Sequence, residues 1–131
     1  MIDRERFELV TYTALRIVVG FLVVCHGVAH VFGVWTNHSP VGSQEWIGGI
    51  LELLLGSLVA VGFYTRLAAF VLSGEMAVAY FQFHWKLHVG GWQFLPMVNK
   101  GELAVAYCFV FVMIWARGAG PYSLDRRRGH G

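Results

Sequence analysis

The chain has 131 residues, of which 56% are hydrophobic, 15% aromatic and only 14% charged, with a formal net charge of +2. A soluble domain of this size carries about a quarter charged residues, so the composition excludes one and indicates a single integral membrane domain over residues 1–131. The basic residues sit at the ends of apolar runs rather than in a stripe, which excludes a nucleic-acid-binding face, and two cysteines neither make a disulfide framework nor fix the redox compartment.

Met1 to Glu8 are polar and read as an interfacial helical lead-in. The first span is expected over about 11–32; it is too long for the apolar core of a signal peptide and no small-x-small cleavage site follows, so it is read as uncleaved. It carries Arg16, Cys25, His26 and His30. The link Gly33–Glu45 has the Gly, Pro, Asn and Ser of a loop, flanked by Trp35 and Trp46 as interface anchors.

The second span, about 46–64, is apolar or small except for Glu52 and Ser57. Some 19 such residues suffice to cross a bilayer. Glu52 then lies roughly 9 Å below the Trp46 end, where a carboxylate must be neutral, paired or facing a wet cavity. Gly48 and Gly56, one helical turn or so on either side of it, let another helix approach. GFYTR is a tight turn into a third span at about 67–85, with Glu75 near its middle. Lys86–Asn99 reads as an aromatic-rich loop, and the fourth span, about 100–115, holds Glu102 in its first turn. Gly118, Gly120 and Pro121 stop that helix and open a polar tail over 118–131.

One set of span ends collects Arg4, Arg6, Arg66, Arg117, Arg126, Arg127 and Arg128, whereas the other has Lys86 and Lys100. The positive-inside rule puts both termini in the cytoplasm, and short links then give an antiparallel up-down-up-down four-helix transmembrane bundle. The expected location is a prokaryotic plasma (inner) membrane, with the lipid bilayer as the first partner. The three-arginine run is a topology determinant that meets anionic lipid.

A helical wheel places Arg16, Val19, Val23, His26 and His30 on one arc of the first span. On the third it groups Ala68, Glu75, Ala79 and Gln82, with His84 pointing the other way. His26, His30, Glu52, Glu75, Gln82 and Glu102 are therefore the candidate pocket residues, with Glu52 and His26 the foremost candidates for catalysis. Three readings stand: a structural hydrogen-bond network, a pocket for a quinone or other small redox molecule, and a metal site on His26, His30 and Glu52. Cys25 and Cys108 fall at similar depth and could form a redox pair, although a buried thiol also packs as a small hydrophobe. Arg16 either lines a cavity or snorkels to the interface. His38, His88 and His130 are expected to be solvated.

Several segments together resemble the DoxX family of small four-span membrane proteins. They are R-x3-G-x5-HG at Arg16, Gly20, His26 and Gly27, GG-x-LEL-x-LG at Gly48–Gly56, and G-x-x-TR-x-AA at Gly62–Ala69. EMAVAYFQFH, P-x-x-N-x-GE at Pro96–Glu102 and GAGPYSLD at Gly118–Asp125 follow in order, so the likeness covers nearly the whole chain. The resemblance implies association with thiosulfate:quinone oxidoreductase, as a membrane subunit, or with membrane oxidoreductase complexes that handle thiols and oxidative stress. Its expected ligand is a quinone. Its expected partner is a soluble or membrane redox protein, and a homo-oligomer is compatible with it. The alternative is a non-catalytic scaffold that docks a soluble redox partner at its cytoplasmic termini.

Overall fold

The computed structural model describes residues 3–129, so His130 and the first two residues lie outside it. The described residues contain helices and no strand. Helix α1 (Arg4–Phe32) absorbs the polar lead-in and the first span into one 29-residue rod. Asp3 caps its start, accepting from the Glu5 amide at 3.3 Å. Gly33, at φ +70°, ends it. Helix α2 (Gln44–Val61) begins at Ser43, whose hydroxyl accepts from the Trp46 amide at 3.2 Å. It stops three residues short of the expected end, because Gly62 takes φ +73° there. Both α1 and α2 are long and apolar enough to cross a membrane.

Helix α3 (Thr65–Ala79) continues without a break into a π-helical turn over Tyr80–Trp85. The expected loop that follows contains a short helix, α4 (Pro96–Asn99). Helix α5 (Glu102–Arg117) is preceded by Gly101, whose amide donates to Asn99 Oδ1 at 2.8 Å. Helix α6 (Leu124–Arg127) lies in the tail.

Two antiparallel hairpins account for most of the packing, α1 with α2 and α3 with α5, joined where α2 meets α3. The first hairpin is set by glycine. A Cβ on Gly20 would sit 2.7 Å from the Gly56 and Ala60 backbones, and one on Gly27 2.6 Å from the Gly49 carbonyl. Gly20 and Gly27, like Gly49 and Gly56, are seven residues apart. Each pair therefore returns to one side of its helix and lets the two backbones touch. All four long helices then contribute to one apolar core, including Val19, Val23, Val59, Leu72, Phe111 and Ile114.

Backbone carbonyls at helix ends have no intrahelical partner, and two arginines supply one. Arg16, 1% exposed, donates to the Val59 and Ala60 carbonyls of α2 at 2.8 and 2.9 Å and to the Tyr122 carbonyl at 2.7 Å. Arg66 donates to the Trp115 and Ala116 carbonyls of α5, both at 2.8 Å. The snorkelling and cavity readings of Arg16 are therefore replaced by a third, a buried clamp on the α2 C-terminus.

The tail is part of that clamp rather than a loose polar end. Asp125, buried, accepts from the Tyr64 and Thr65 amides at 2.9 Å each and so caps α3, while its own amide donates to the Gly62 carbonyl at 2.8 Å. The Tyr12 hydroxyl donates to the Gly118 carbonyl at 2.5 Å, with the Arg117 guanidinium 4.4 Å above its ring. We call this the tail end, and the opposite one, bearing residues 33–43 and 86–101, the loop end.

Candidate functional site

Toward the loop end, Glu52 on α2 and Glu75 on α3 stand between two cavities. Glu52 is fixed by its own helix: Gly49 and Gly56 turn one side of α2 to α1, which leaves Glu52 facing the remaining space near α3. Glu75 reaches across to α2 over Gly48, where a Cβ would lie 2.9 Å from its Oε1. Gly48 precedes Glu52 by one helical turn, so the two carboxyl groups occupy adjacent levels of the α2–α3 seam.

The larger cavity, about 540 Å³, lies between α2 and α3. Leu51, Val71, Val78 and Phe83 supply much of its apolar wall, and Gln44, Glu45, His30 and His84 its polar end. Its rim includes the exposed side chains Ile47, Val78 and Phe83. The smaller cavity, about 260 Å³, lies between α1, α3 and α5 and adds His26, Lys100, Leu103, Ala104 and Tyr107. Glu52, Glu75, His30, His84 and Ala79 line both. Glu52 is only 7% exposed, and Glu52 Oε2 and Glu75 Oε2 are buried without a hydrogen-bond partner among the described residues. An unpartnered buried carboxyl oxygen is costly and calls for a donor or acceptor.

The sequence-derived candidates divide. His26, His30, Glu52 and Glu75 come together on the smaller cavity. His26 is exposed on one side and meets the Tyr107 ring edge-on, with centroids 6.2 Å apart. His30 Nδ1 is 3.2 Å from Ser39 Oγ, which ties it to the loop beyond α1. Gln82 is exposed and lines neither cavity; it accepts a 2.5 Å hydrogen bond from Gln44 Nε2, and Gln44 does line the larger one. Glu102 is exposed in the first turn of α5 and lines neither cavity. Cys25 and Cys108 are half-buried free thiols, also absent from both walls. His26, His30 and Glu52 share a cavity, but among the described residues no three His, Cys, Asp or Glu side chains are arranged to hold a metal ion.

His84 corrects the wheel. An α-helix carried through to residue 84 would turn it away from Glu75, but the π-helical turn from Tyr80 rotates the chain less per residue. His84 thus comes round to the side of Glu75. Tyr107 was overlooked although its signal was present: Ala104, Tyr107, Phe111 and Ile114 form the buried stripe of α5, and Tyr107 is its one polar member.

A helical chain whose α1 and α2 are long and apolar enough to cross a membrane, with polar groups gathered between its helices, has the character of a small membrane protein. The DoxX family description, that of a small membrane protein family, matches residues 11–85. An uncharacterized protein of Haemophilus influenzae is 35% identical over 134 residues, covering 97% of both chains. The chain belongs to the DoxX family. No solved structure matches it.

Proposed function

We propose that this protein is a four-span, redox-associated DoxX protein that binds a quinone-class ligand in the cavity beside Glu52 and Glu75. The larger cavity carries the reading: it pairs an apolar wall with two carboxyl groups whose inner oxygens have no partner among the described residues. A planar molecule with an apolar tail and two ring carbonyls matches that chemistry, its ring against Leu51, Val71 and Phe83 and its oxygens toward the carboxyls. An exposed apolar rim at Ile47, Val78 and Phe83 suits entry from lipid. In this reading α1, α2, α3 with its π turn, and α5 cross a prokaryotic plasma membrane up-down-up-down. The arginine-rich tail end is then cytoplasmic and the loop end faces outward.

Titration of detergent-purified protein with decylubiquinone, followed by tryptophan fluorescence, tests the ligand. Saturable binding is expected. Glu52→Ala should weaken it about tenfold, the equivalent of one buried hydrogen bond to a charged or strongly polar group. Glu52→Gln, which still offers a donor, should stay within about threefold. Absence of saturable binding to the folded wild-type protein overturns the reading.

The scaffold alternative draws on the exposed cations Arg4, Arg6, Arg126 and Arg127 at the tail end, which suit an acidic soluble partner. Deleting residues 120–131 is a poor test of it, because that also removes the Tyr122 and Asp125 contacts that hold α2 and α3.

A further inference from the structure

The two cavities share a wall, and that wall is made of acids and imidazoles. Glu52, Glu75, His30 and His84 each line both chambers. The chambers differ in character. The larger is mainly apolar, with exposed Ile47, Val78 and Phe83 at its rim. The smaller carries Tyr107 and, exposed at its rim, His26 and Lys100. A proton on Glu52 or Glu75 therefore has a lipophilic site on one side and a chain of titratable groups leading out of the protein on the other.

We propose that Glu52 and Glu75 form a proton-exchange pair, which takes up protons from the outward-leading groups of the smaller chamber when a ligand occupies the larger one and returns them when it leaves. His30 and His84, touching both chambers, are the nearest relays; His26 and Lys100 are the exit. This deepens the quinone-class reading and rests on it, but it assigns work to groups that ligand binding alone does not require. No electron transfer is part of it. A proton leaves an imidazolium nitrogen for a carboxylate oxygen, the imidazole is refilled from outside, and the protonated carboxyl donates a hydrogen bond to a ring carbonyl, which itself takes no proton. The groups facing the pair are His26 and His30 on α1, Gln44 and Glu45 on α2, His84 on the π turn, Lys100 before α5, and Tyr107 on α5.

A ring carbonyl accepts hydrogen bonds, so a carboxyl must hold its proton to donate one. Decylubiquinone binding should then take up protons at neutral pH, and its affinity should fall as pH rises. Titration calorimetry in two buffers of different ionisation enthalpy reads the proton count directly. Wild-type protein is expected to show net uptake. Glu52→Gln and Glu75→Gln should each reduce it, and the double variant should bring it close to zero, because an amide keeps a donor without titrating. His84→Gln, at a relay that lines both chambers, is a second variant that should shift the pH dependence of binding. Undiminished proton uptake in folded Glu52→Gln and Glu75→Gln proteins overturns the proton pair and leaves the ligand reading standing. Failure of wild-type protein to bind decylubiquinone overturns both.

Discussion

At the scale of single residues, the ionisable side chains at the two ends of the molecule do different jobs. Arg16 is buried, and its two terminal nitrogens serve three carbonyls, while its Nε has no partner among the described residues. Glu52 is equally buried but keeps an oxygen unpartnered beside open space. The sequence alone left Arg16 ambiguous because its partners lie 43 to 106 residues away and are backbone atoms, which leave no compositional trace. Glu52 was legible because a carboxylate inside an apolar run is improbable on energetic grounds alone. Arg16→Ala should lower stability by about 3 kcal/mol or more, since three buried carbonyls lose their donor. Asp125→Ala, the loss of a helix cap, should cost about 1–2 kcal/mol. Thermal unfolding in detergent, followed by circular dichroism, measures both. An Arg16→Ala protein as stable as wild type would show that the carbonyls find other donors.

At the scale of elements, the close approach of α1 and α2 and the π turn after α3 decide where the site sits. The glycine pairs bring α1 and α2 into backbone contact, which places His26 and His30 within reach of the cavity beside Glu52. Gly27→Ala should destabilise the protein by about 1–3 kcal/mol, because the new methyl meets the Gly49 carbonyl and the Leu53 amide, neither of which can yield, as well as the Leu53 side chain. Gly74→Ala, with nothing within 4 Å of the new Cβ, should be neutral or stabilise α3 by up to about 1 kcal/mol. The contrast in unfolding midpoint between these two like changes checks the interface, and equal effects would refute it. Periodicity located all four long helices to within a few residues except at the α1 start. There the polar Arg4–Glu8 segment joins the helix, and Glu8 accepts a hydrogen bond from Arg4 at 3.2 Å. Periodicity misplaced His84 because a wheel assumes constant rotation, and nothing in YFQFHW announces a π turn.

At the scale of the molecule, the tail end repeats one device: the first helix of each hairpin donates an arginine to the last carbonyls of the second, Arg16 to α2 and Arg66 to α5. The proposed orientation puts this end in the cytoplasm. A fluorescent protein fused after residue 131 should therefore fluoresce, and alkaline phosphatase fused at Gly90 should be active in intact cells. The reverse pattern would invert the bundle. The helical class and apolar character of the chain could be read from composition, whereas the folding back of Tyr122 and Asp125 could not, since GAGPYSLD reads locally as a turn. That return contact also orders events during synthesis. Tyr122 and Asp125 are made after α1, α2 and α3, yet they close contacts with all three. Until residues 122–125 are made, the amides at the start of α3 and one nitrogen of the Arg16 guanidinium lack these partners. A chain cut before residue 120 would keep α1, α2, α3 and α5 but lose the contacts that close the tail end.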